Sequence, residues 1–133
     1  MERIILSDNH RRSVTSALMV IERSLNEMED ELKKPTNLCL SKMIVDISNE
    51  EKEVALQNIK RAKKGIIQFS AKYSLEMRTS LMRRFIDSRK SHIWEVLCGT
   101  TSRRLKGYGE FPREYAKEFD DDIDKLQNMV ASI

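Results

Sequence analysis

The chain has 133 residues, 40% of them apolar and 34% charged, with only four Gly and two Pro and a net charge of +3. That length suits one cooperative domain spanning 1–133, and the scarcity of turn formers argues against a strand-rich fold. No run approaches the roughly 18 apolar residues of a membrane span, and residues 1–10 lack the apolar core of a signal peptide, so no membrane contact and a cytoplasmic location are expected.

The first element reads clearly. Val14, Leu18, Ile21, Leu25, Met28 and Leu32 recur at intervals of four and three, one apolar helix stripe between Ser7 and Lys34. Ser7 or Asp8 can cap its start, and Pro35 cannot donate to continue it. Residues 36–47, with Leu38, Leu40, Met43, Ile44, Val45 and Ile47, are too apolar for a solvated loop. A short extra helix across the bundle end is expected there.

Ser48 and Glu51 have the spacing of a capping box. The helix they open carries Ala55, Ile59, Ala62, Ile66, Phe69 and Tyr73 as its stripe. The same phase then meets Ser80 and Asp87, which predicts a break between Ser74 and Ser80 and a third helix ending at Gly99, a residue suited to a left-handed C-terminal cap. The alternative is three helices, one of them running unbroken from 49 to 98. After a polar turn at Gly107 to Gly109, Pro112 fits a first helical position, and Tyr115, Phe119, Ile123, Leu126 and Val130 form the last stripe. Asp120 to Asp122 are poor interior formers and could kink it. The expected fold is all-α, a single-domain antiparallel four-helix bundle.

Charge is unevenly placed: residues 75–109 sum to +5 and residues 110–133 to −4. Neutralisation of the basic helices by an acidic neighbour is one explanation. The other is a nucleic-acid surface built from Lys60, Arg61, Lys63 and Lys64, or from Arg83, Arg84, Lys90, Arg103, Arg104 and Lys106, since clustered cations grip phosphates without reading bases. At about 100° per residue, however, Arg83 and Lys90 share a side of the third helix while Arg84 points well away.

Arg89 falls between Ile86 and Ile93 of the third helix's apolar face, and is therefore a candidate buried charge that must snorkel or find a carboxylate. Trp94 stands off that stripe, near Lys90 and Leu97, and the three are a candidate protein interface.

No constellation points to chemistry. Cys39 and Cys98 lack any zinc or redox spacing and are expected to be reduced, packed thiols; His10 and His92 belong to no Glu-x-x-His or His-x-x-x-His arrangement. Glu50 with Glu53, and Glu118 with Asp121, resemble the paired acids with which all-helical nucleotide pyrophosphohydrolases hold magnesium, although some 65 residues separate the pairs here. That resemblance implies an enzyme. The expectation carried forward is instead a non-enzymatic helical adaptor or regulatory subunit that partners protein, above all itself as a homodimer, and needs neither cofactor nor metal. Nucleic-acid binding is the alternative.

Overall fold

The computed structural model describes residues 2–133. Four long helices account for most of the chain: α1 (Asp8–Lys33), α2 (Asn49–Lys72), α3 (Met82–Cys98) and α4 (Arg113–Ala131), with a 3-10 turn, Arg104–Tyr108, between the last two. The chain is all-α and carries the four helices of the expected bundle. They form two compact units, residues 1–77 and 78–133, each an antiparallel helix pair: α1 with α2, and α3 with α4.

In the first unit Ser7 accepts from the His10 N–H at 3.2 Å, so the serine is the α1 cap that its chemistry suggests. Leu25 of α1 and Ile59 of α2 are buried. Lys63 of α2 reaches Glu29 of α1 at 3.2 Å. That hydrogen bond, aided by Lys33, holds the Glu29 carboxyl below its usual range against the opposing effect of burial. At the other end the Ile4 N–H donates to the Lys72 carbonyl at 2.7 Å, tying the chain before α1 to the end of α2.

The α2 face that turns inward holds Ala55, Ile59, Ile66 and Tyr73 of the expected stripe but is shifted to one side of it: Lys52, Leu56, Lys63 and Ser70 are half-buried, whereas Ala62 and Phe69 are exposed. The aliphatic stem of Lys63 can line the seam while its ammonium finds Glu29, so a polar residue occupies a position that apolar spacing assigns elsewhere.

Residues 36–47 are not helical. Thr36 donates both its N–H, at 2.9 Å, and its hydroxyl to the Glu31 carboxylate, clasping the exit of α1. The chain then forms a small hairpin: Asn37 bridges Lys42, the Leu38 N–H donates to Ser41 O, and the Met43 N–H donates to Thr36 O. Pro35 and the β-branched Ile44, Val45 and Ile47 favour extended backbone here over a helix.

The alternative of one helix across 49–98 is also excluded, because α2 stops at Lys72. Tyr73 is its cap, Ser74 takes a left-handed φ of 54°, the Ser74 N–H donates to Ala71 O and the Leu75 N–H to Ser70 O. This is a Schellman motif built on serine rather than glycine. Gly99, where the left-handed cap was expected, has φ −80° and stays right-handed; Thr100 closes α3 by donating its hydroxyl to Val96 O at 2.7 Å.

In the second unit α4 starts at Arg113, with Pro112 just outside the helix, and continues unbroken through Asp120 to Asp122. Asp120 is occupied: the Ser102 N–H at 2.8 Å and its hydroxyl at 2.7 Å both donate to the carboxylate. The two bonds, the backbone one foremost, hold Asp120 below the ordinary carboxylate range. Phe111 and Phe119 pack with ring centroids 4.9 Å apart, and Ile123 is the buried residue of α4.

Candidate interaction surface

The buried apolar core is small. Only Leu25, Ile59 and Ile123 are buried apolar residues among those described, while large side chains from every helix are exposed. The accessible surface is 11709 Å². Mass scaling gives about 7,200 Å² for one compact chain of this size, and about 8,700 Å² even for two separate compact bodies of ~9.0 and ~6.6 kDa. Roughly 3,000 Å² therefore exceeds what independent folding of the two units explains.

The α3/α4 unit shows how this surface is arranged. Lys90 and Leu97 are the half-buried positions of α3, and Lys90 Nζ donates to the carbonyls of Ala131, at 3.1 Å, and Ile133, at 3.0 Å. Its charge thus offsets the carbonyl end of α4 and satisfies groups that the helix itself cannot. On α4 the inward positions are Ala116, Phe119, Asp120, Ile123, Gln127 and Val130.

About a quarter-turn from that line of contact, each helix carries a second stripe: Met82, Phe85, Ile93 and Val96 on α3, and Tyr115, Leu126 and Met129 on α4. All seven are exposed, Met82 at 72% and Met129 at 65%. Both stripes are displaced in the same rotational sense, and antiparallel helices in contact are related by a two-fold axis across the pair. The stripes consequently lie on one side of the hairpin. The other side carries Asp87, Ser91 and Glu95 of α3 with Lys117, Asp124 and Asn128 of α4. One face of the hairpin therefore gathers exposed apolar side chains around Arg89 and Asp122, and the other is polar.

Of the three expected interface residues, Trp94 and Lys90 share one cleft. Trp94 is 45% exposed and lines an open cleft of about 360 Å³ with Lys90, Ser91, Glu95, Val130 and Ala131, at the edge of the helix pair. Of its two expected companions, Lys90 is engaged by α4 and Leu97 is half-buried. Arg89 is not buried: it is exposed and lies 5.1 Å over the Phe85 ring, so the charge at the seam is Lys90, one residue on. A cation over a ring face keeps its water and still gains from the ring's negative face.

Arg83, Arg84, Arg103, Arg104 and Lys106 are exposed, and none pairs with an acid among the described residues. Three of the six acids of α4 are held within their own unit: Asp121 by Lys117 at 3.0 Å, Asp122 by Lys125 at 3.8 Å, Asp120 by Ser102. The expected neutralisation of α3 by α4 therefore involves no ion pair between them.

Cys39 and Cys98 are free and exposed rather than packed, the latter accepting from Gln127 at 3.4 Å. No three His, Cys, Asp or Glu side chains gather to hold a metal among the described residues, and no helix is long and apolar enough to cross a membrane. No family model, curated protein or solved structure matches the chain.

Proposed function

We propose that this protein is a non-enzymatic helical interaction subunit, and that its working form is an assembly whose first partner is another copy of itself. One observation carries the reading: among the described residues, three buried apolar side chains stand beside apolar side chains exposed along every helix. Soluble monomers rarely leave contiguous apolar surface of this extent, whereas subunits of permanent assemblies do so until their partner arrives. Two free cysteines suit a reducing compartment, and we assign that work to the cytoplasm.

Light scattering coupled to gel filtration tests the reading. The expected mass is a multiple of 15.6 kDa at micromolar chain, with a melting temperature that climbs with concentration. A monomer that unfolds cooperatively at a concentration-independent temperature would overturn it.

The second reading, nucleic-acid binding, is favoured by the unpaired cations Arg83, Arg84, Arg103, Arg104 and Lys106. It requires affinity that falls steeply with salt, as release of condensed counterions demands. Failure to shift RNA or DNA at low salt removes it.

A further inference from the structure

We infer that the apolar face of the α3/α4 hairpin is the self-association surface, and that a second copy docks there with its own hairpin, α3 of each copy lying across α4 of the other. The inference rests on the assembly reading and adds which surface, which occupant and which pairing.

Two observations carry it. The face is continuous across two helices, because Met82, Phe85, Ile93 and Val96 lie on the same side of the hairpin as Tyr115, Leu126 and Met129, and all are exposed.

Charge complementarity between helices fits a second copy and sets the pairing. Residues 78–109 carry +6 and residues 110–133 carry −4, so the second unit nets only +2 and two copies repel weakly. The two helices carry opposite net charge, with Arg89 within the α3 stripe, over the Phe85 ring, and Asp122, paired with Lys125, within the α4 stripe, Glu118 beside it. In a two-fold interface every contact occurs twice. Laying α3 over the other copy's α4 therefore sets opposite charges against each other at both places, whereas α3 over α3 sets like charges together. Two such hairpins face to face bury their apolar stripes as the four helices of a bundle do.

The test uses the full chain. Val96→Glu and Met129→Glu each place a charge on the face from a different helix, at positions already exposed, so far-ultraviolet circular dichroism should be unchanged in at least one of them. Asn128→Glu, on the polar side, is the control. Sedimentation equilibrium should show each face variant raising the dimer dissociation constant at least tenfold and the control leaving it near that of the unsubstituted chain. Raising salt from 0.05 to about 0.5 M should also weaken the unsubstituted dimer, since its paired charges are screened.

A monomeric unsubstituted chain overturns the assembly reading and this inference together. A dimer that both face variants leave intact overturns the inference alone and points to another surface. A dimer lost in the variants but indifferent to salt, or tightened by it, overturns the pairing of α3 with α4.

Discussion

Replacing Ser74 with glycine should make the protein more stable, although glycine substitutions ordinarily do the reverse. Ser74 sits at φ 54°, where the Cβ of an L-residue crowds its own backbone at a cost of about 1–2 kcal/mol. Glycine removes that strain but frees the unfolded chain by about 0.5–1 kcal/mol. The difference predicts a gain of roughly 0.5–1 kcal/mol for Ser74→Gly, with both Schellman bonds retained because they use backbone groups alone. Ser74→Val, branched at Cβ, should lose at least as much as glycine gains. Urea unfolding followed by circular dichroism measures both; with a slope of about 1–3 kcal/mol per molar, glycine should move the midpoint up by a few tenths molar. A lower midpoint for Ser74→Gly, or equal midpoints for glycine and valine, would refute the left-handed cap.

Ser48→Ala removes the hydroxyl that accepts from the Glu51 N–H at 3.1 Å, and should cost about 1 kcal/mol in the same titration. Ile123→Ala empties the buried position of α4 and should cost about 2–5 kcal/mol, seen most directly through Trp94 fluorescence in the same unit; a midpoint within error of the parent would show that α4 has no packed seam. The bonds from Ser102 lower the folded pKa of Asp120, so their stabilisation is complete above the unfolded value near 3.9 and drains away as pH falls through the lower folded value. Asp120→Asn should flatten that part of the stability profile between about pH 5 and pH 2, and an unchanged acid limb would mean that the Ser102 bonds carry no weight.

What the sequence revealed was whatever is written locally. Ser7 and Ser48 act as caps through bonds to residues three along, and the break between α2 and α3, from Lys72 to Met82, spans the expected Ser74 to Ser80. What it concealed depends on partners distant in sequence. No pattern marks Lys90 rather than Arg89 as the seam charge, because the reason is a pair of carbonyls some forty residues on. Lys63 turns inward for Glu29, and Asp120 sits comfortably in mid-helix because Ser102 donates to it. The left-handed residue at Ser74 and the right-handed Gly99 reverse the usual preference, since the backbone bonds that end a helix need the conformation and not the residue type. Residues 36–47 depart from the expected helix for a related reason. Apolar side chains promise burial, but the hairpin leaves Leu40 fully exposed and Ile44 at 76%.

The charge pattern shows why stability within one chain and attraction between chains draw on the same side chains differently. Each ion pair of α4 joins residues three or four apart on an exposed surface, an arrangement worth at most a few tenths of a kcal/mol. The unpaired cations of α3 lie on a surface where solvent screens them beyond about 8 Å at physiological salt. Neither set does much for the hairpin itself. Desolvation changes that balance, because opposite charges brought together as water leaves an apolar face attract more strongly and like charges repel more strongly. Residues that contribute little to folding can thus decide which helix of an incoming copy lies over which. The exposed stripe supplies the drive to associate, and the segregated signs supply its register.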